Sequence, residues 1–181
     1  MMGINLNQHI GKIISGVFLA LLFLYPQDAT SATDDFNGTY ELDEDASDDF
    51  MEAFDDPLQE LSRLRRGVAR IIINRRGGHA EEVYIQITDD TITFRSDDND
   101  PIFFPADGEE IVHINDSGDE MKAKAELEGN RLRITMEGED GGSVTEYHLN
   151  DDHNRLDVER KIEIGQLSDP VEFSVVYNRK G

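Results

Sequence analysis

The sequence predicts a mainly β protein: an antiparallel up-and-down β-barrel of about ten strands with a short helical pair between strands one and two, preceded by a signal peptide. Three observations carry this expectation. From Glu82 to Tyr177, apolar residues recur at every second position in short runs, the period of a strand with one buried face. Between Phe50 and Ile72 the period lengthens to three and four residues, which lays a stripe along a helix. Glycine, asparagine and aspartate separate the later runs, and the connections are too short for crossover helices, so sequence neighbours are expected to pair antiparallel. Such a series makes a sandwich or a barrel. Closing the meander removes its exposed edges, which favours the barrel.

The first element is the export segment, residues 1–32. Lys12 precedes an apolar run from Ile13 to Tyr25, then Pro26, and Ala29-Thr30-Ser31-Ala32 offers the small residues that a signal peptidase accepts. The run is shorter than the roughly 20 residues a spanning helix needs. Cleavage after Ser31 or Ala32 is therefore expected, with a periplasmic or secreted product of bacterial type and no stable membrane insertion afterwards. An uncleaved anchor is the alternative. Residues 33–181 then form one domain.

Strand one is expected in Phe36-Asn37-Gly38-Thr39-Tyr40-Glu41-Leu42, with Phe36, Tyr40 and Leu42 on one side. Phe50, Met51, Phe54, Leu58, Leu61, Leu64, Val68 and Ile72 mark the helical stripe. Pro57 after Asp55-Asp56 predicts a break there: one helix near Asp48 to Phe54, and a second starting at Pro57, capped by Asp56 and reaching about Arg70. Gly67 weakens the second helix by roughly 1 kcal/mol, and Gly77-Gly78 closes the region. Val83-Ile85-Ile87, Asp89-Asp90 and Ile92-Phe94 read as a hairpin. Further strands are expected over Ile102 to Phe104, Glu110 to Ile114, Glu120 to Leu127, Arg131 to Glu137, Ser143 to Leu149, Leu156 to Ile164, and Val171 to Tyr177.

Composition excludes several function classes. Asp and Glu outnumber Lys and Arg by 39 to 17, for a net charge of −22, so the surface repels nucleic acid phosphates and anionic lipid headgroups. Nucleic acid is not an expected partner. With no cysteine, disulfides, thiolate metal sites and thiol nucleophiles are impossible. The serines lack a nucleophile-elbow context, and no nucleophile and base pair is visible, so the sequence supports no enzyme reading and no cofactor. His79, His113, His148 and His153 fall on different segments without the spacing of a helical or hairpin metal site. Of these, His113 is in phase with Ile111 and is expected to face inward. The acidic runs Asp97-Asp98-Asn99-Asp100 and Asp116 to Glu120 do not fit the twelve-residue calcium loop and read as solvated turns.

Phe36-x-Gly38-x-Tyr40-x-Leu42, followed by two short helices and a run of meander strands, resembles the calycin superfamily of lipocalins and intracellular fatty-acid-binding proteins. The layout is most similar to secreted bacterial lipocalin-like proteins, over about Phe36 to Tyr177. In those families the first-strand aromatic is commonly tryptophan, and here Tyr40 stands in its place. Fatty-acid-binding relatives hold a ligand carboxylate with arginines and a tyrosine on the last two strands. The resemblance implies that role for Arg160 and Tyr177, while Val175 occupies the position where a last-strand arginine would precede the tyrosine.

Arg160 also stands out on physical grounds. It is in register with Leu156, Val158, Ile162 and Ile164, so an inward face would hold a guanidinium in a low-dielectric space where it needs a partner. A ligand carboxylate is one such partner; an internal acid, a carbonyl or water near the barrel mouth is the other. Tyr177 shares a face with Val171, Phe173 and Val175, and Tyr147 with Leu149, as core residues or ligand contacts. The expected function is binding of a small hydrophobic or fatty-acid-like ligand inside the barrel through Arg160, Tyr177 and Tyr147. The rival is a filled acidic barrel, closed by Phe94, Phe103, Phe104, Phe173 and Met136, that acts as an envelope structural or protein-interaction module.

Overall fold

The computed structural model describes residues 35–63, 65–67, 69–70, 78–115, 118–165 and 167–181. The signal segment lies outside the described residues. Ten strands follow one another: β1 (Gly38–Leu42), β2 (Glu82–Ile87), β3 (Thr91–Ser96), β4 (Ile102–Pro105), β5 (Ile111–Ile114), β6 (Glu120–Glu128), β7 (Arg131–Gly138), β8 (Gly141–Leu149), β9 (Arg155–Ile164) and β10 (Val171–Arg179). They form one antiparallel sheet in the order β4-β3-β2-β1-β10-β9-β8-β7-β6-β5. The first strand meets the last, with Tyr40 opposite Arg179 and Leu42 opposite Tyr177, and this pairing wraps the meander into a barrel.

Closure stops one ladder short. β4 and β5 sit at the two ends of the sheet order, so the expectation that closing removes every edge is corrected to a nearly closed barrel with a seam. Pro105 ends β4 without an N–H to donate, a device suited to an edge. The outer faces of both seam strands carry exposed apolar side chains, Phe103 on β4 and Val112 and Ile114 on β5. The rival, filled-barrel reading places Phe103 inside. Period-two alternation cannot place both Phe103 and Phe104 inward, and Phe104 takes the buried position.

Between β1 and β2, helix α1 spans Phe50–Gln59. Asp49, not Asp56, caps it by accepting from the Glu52 N–H at 2.9 Å. Pro57 lies inside the helix, which corrects the predicted break. It sits in the last turn, where the helix forgoes one backbone bond shortly before it ends. The chain leaves helical form at Leu61 and Ser62, and the described residues from 63 to 70 are helical again. Leu64, Val68 and Ile72 of the predicted stripe lie outside the described side chains. Phe54 and Leu58 are buried, and the rings of Phe50 and Phe54 meet Phe173 of β10 with centroids 5.5 and 6.5 Å away. The helix therefore covers the barrel at the start of β10.

One contiguous apolar cluster joins Phe36, Tyr40, Ile85, Ile92, Phe104, Leu132 and Leu156 to the helix residues. Its aromatic anchor is Tyr40, fully buried. The Tyr40 hydroxyl donates to the Phe36 carbonyl at 2.9 Å and accepts from Arg179 Nη2 at 2.6 Å. Arg179 also lies 4.9 Å from the Tyr40 ring centroid and donates to the carbonyls of Asn37 and Asp35. Thus one half-buried guanidinium, through its two Nη atoms, ties the first strand to the last.

Candidate functional site

The interior site is built by the register of three strands. Across β8, β9 and β10, Thr145, Arg160 and Phe173 stand in one inward row. The next row holds Tyr147, Val158 and Val175, and the one after holds Leu149, Leu156 and Tyr177. Alternation along β9 produces this, since Leu156 and Val158 are buried while Asp157 and Glu159 are exposed. The structure thus brings Arg160, Tyr147 and Tyr177 to one inner wall. Val175 is buried in the same wall and supplies no charge, leaving Arg160 as the guanidinium of the row.

Arg160 is half-buried, and its Cζ lies 6.0 Å from the Phe173 ring centroid. Its Nε is buried without a hydrogen-bond partner among the described residues. Nε atoms of Arg95 and Arg179 are also unpaired, but Arg95 reaches Glu82 at 3.7 Å and Arg179 has three acceptors. No described residue gives Arg160 a hydrogen bond or ion pair. Of the two partners open to it from the sequence, an internal carboxylate or carbonyl is not supplied by the described residues.

The two tyrosines feel the same environment. Burial raises the ionisation of Tyr147 well above its ordinary range, against the pull of the Arg160 charge and with a push from Tyr177. Tyr177 is pushed up to about 12, again by burial first, with Arg160 lowering and Asp97 raising it. Both hydroxyls are therefore neutral donors at any ordinary pH. The ring of Tyr147 meets Phe94 of β3 at 5.5 Å between centroids, so side chains from different walls touch inside the barrel at this level. Toward the helix-covered end, the inward residues Ile102, Ile111, Met136 and Ile162 are only partly buried. At the opposite end, Ile87, Ile92, Phe104, Leu149 and Leu156 are sealed. The inward apolar side chains that keep some exposure here therefore lie toward the helix side, next to the buried Val171 and Ala123.

Two surface depressions flank this wall. One, of about 550 Å³, lies between the β7–β8 turn and the β9–β10 loop, lined by Glu139, Asp140, Leu167 and Pro170 among others. Another, of about 620 Å³, runs over the outer face of β8 to β10 beside Arg133, Glu146, Glu159, Lys161 and Glu172. On that outer face, Glu146, His148 and Glu159 each place a donor atom within 4.8 Å of the others. Sequence reasoning passed over this group because Glu159 comes from the neighbouring strand. His113, expected inward with Ile111, is half-buried as Ile111 is. The Asp97 run is a turn, with the Asp97 carboxylate accepting from the Glu82 N–H at 3.0 Å. The sequence carries no signal for the structural role of Arg179, because only the β1–β10 register sets it opposite Tyr40.

No family model matches the sequence, and no curated protein matches it. Solved structures do match in fold. A secretary abundant heat soluble protein from Ramazzottius varieornatus is 18% identical with a TM-score of 0.57, covering 81% of this chain and 96% of its own. Caenorhabditis elegans lipid binding protein 8 is 18% identical with a TM-score of 0.55, covering 84% of this chain and 100% of its own. Echinococcus granulosus fatty-acid-binding protein 1 is 12% identical with a TM-score of 0.54, covering 82% of this chain and 99% of its own. At these identities the likeness establishes the fold alone: a barrel of the kind these three proteins share.

Proposed function

We propose that this chain is an exported, non-enzymatic binding protein that holds a small, partly apolar ligand with an acidic head group, of fatty-acid type, in the helix-covered half of its barrel. The carrying observation is the Arg160 guanidinium, with a buried Nε and no acceptor among the described residues. An unmet buried donor costs about 1–3 kcal/mol, more when charged, and a ligand carboxylate meets that need with a charge-assisted bond. The apolar body of the ligand gains about 25 cal/mol per Å² of buried surface against Ile102, Ile111, Met136 and Ile162. Tyr147 and Tyr177, kept neutral by burial, are hydroxyl donors on the same wall. That two of the neighbouring structures are named for lipid or fatty-acid binding supports the ligand class.

The test is displacement of a fluorescent fatty acid, together with mass spectrometry of lipid extracted from mildly purified protein. Arg160→Ala is expected to weaken binding at least about tenfold, roughly the 1.4 kcal/mol that a charge-assisted hydrogen bond supplies, and Arg160→Lys to recover part of it. If nothing is extracted and no fatty acid competes, the proposal fails. A second reading, a filled barrel acting through its acidic surface, draws on the contact of Phe94 with Tyr147. Failure of every fatty acid to bind would favour it.

A further inference from the structure

We propose that the outer face of β8 and β9 binds a divalent metal ion of zinc type through Glu146, His148 and Glu159, a site separate from the interior wall. Glu146 and His148 are two residues apart on β8 and so point to the same side of the sheet. Glu159 stands directly opposite Glu146 on β9. One donor atom from each of the three lies within 4.8 Å of the other two, a spread that small side-chain rotations close to a common centre.

Two details separate this group from an ordinary charged patch. Glu146 is oriented: Arg133 Nη1 holds its Oε1 at 2.9 Å, which turns Oε2 toward His148 Nε2 at 3.6 Å. Holding one oxygen of a ligand carboxylate to aim the other is how outer partners prepare a metal site. Arg131 Nη1 is farther from Oε2, at 3.9 Å, and also engages Glu128. The second detail is the direct opposition of two carboxylates, Glu146 and Glu159. Like charges facing each other across a ladder destabilise the pair, and a cation between them reverses the sign of that interaction.

The donor set chooses the metal. One imidazole nitrogen with two carboxylates suits zinc, which takes nitrogen at about 2.0–2.1 Å and carboxylate oxygen at about 2.0–2.2 Å. Calcium prefers oxygen ligands alone and more of them. The groove of about 620 Å³ beside Glu146 and Glu159 leaves space for water in the remaining coordination position. A net charge of −22 raises the local concentration of cations around the whole molecule.

The experiment is calorimetric titration of the untagged full chain with Zn²⁺ in a non-chelating buffer, repeated on His148→Ala and Glu159→Gln and in the presence of excess Ca²⁺. Outer partners alone are worth roughly 10- to 100-fold in metal affinity, so loss of a direct ligand is expected to cost at least about tenfold. The expected result is one saturable site per chain, weakened at least tenfold in both variants and not displaced by Ca²⁺. Circular dichroism of the variants separates lost binding from lost folding. Absence of a saturable site below about 1 mM, a smaller effect in either folded variant, or displacement by Ca²⁺ overturns the proposal.

Discussion

Tyr147 and Tyr177 share an inner wall with Arg160, and burial outweighs the nearby positive charge in setting their ionisation. In the unfolded chain each loses its proton near the ordinary tyrosine value of 10.0, whereas the folded protein keeps the Tyr177 proton to about 12 and that of Tyr147 beyond its ordinary range. Between those values the unfolded state binds fewer protons than the folded one, so stability is complete below pH 10 and falls as pH rises. The slope is about 1.4 kcal/mol per pH unit for each tyrosine. Urea midpoints at pH 9, 10 and 11 are expected to drop progressively, and the Tyr147→Phe/Tyr177→Phe variant to flatten that drop. An unchanged slope in the variant would show that these hydroxyls do not carry it. Both residues were legible from the sequence because alternation alone puts them on an apolar face. Arg179 was not legible, since its partner Tyr40 lies at the other end of the chain and only the β1–β10 register brings them together.

The hairpin of β7 and β8 shows what an element asks of single residues. Its turn is Glu139-Asp140, and the ladder runs on through Gly138 opposite Gly141 and Glu137 opposite Gly142, where the expected strands, ending at Glu137 and resuming at Ser143, leave residues 138–142 as the connection. Glycine is required there for two reasons. Gly141 has φ of +146°, and a Cβ on it would stand 2.1 Å from the Glu163 carbonyl oxygen of β9. Strain of that kind and the clash with the neighbouring backbone each cost about 1–3 kcal/mol. Gly141→Ala is therefore expected to destabilise the protein by roughly 3 kcal/mol, read as a lower urea midpoint at constant slope. Gly129→Ala, with open space around it, is expected to cost less, through its positive φ alone. Equal losses would mean that the close approach of β8 and β9 is not what selects glycine. Strand positions were legible to within one or two residues, because period two survives local detail. The helix start near Asp48 was legible, with Asp49 the residue that has the capping geometry, but the break at Pro57 was misplaced because two aspartates before a proline imitate a cap.

At the scale of the whole molecule, alternation and turn spacing gave the strand count and the neighbour pairing, but not the seam between β4 and β5. No local pattern reveals which ladder is left unmade, because that depends on how the completed sheet curves back on itself. Charge is the other global property. The described surface carries ion pairs such as Lys122 with Glu110 and Lys180 with Glu82, at 3.1 and 2.9 Å, and exposed pairs of this kind contribute about 0–1 kcal/mol each. Salt weakens them, but it also screens repulsion among 39 acids set against 17 bases. With 39 acids and 17 bases, like-charge pairs outnumber opposite-charge pairs over the chain as a whole, so the balance favours screening. Raising NaCl from about 10 to about 150 mM shortens the screening length from about 30 to about 8 Å. The melting temperature is expected to rise by roughly 5 °C, about 1–2 kcal/mol for a chain of this size. A fall instead would mean that specific ion pairs outweigh the diffuse repulsion, and that Arg133 on Glu146 and its like hold the barrel together more than the acidic excess strains it.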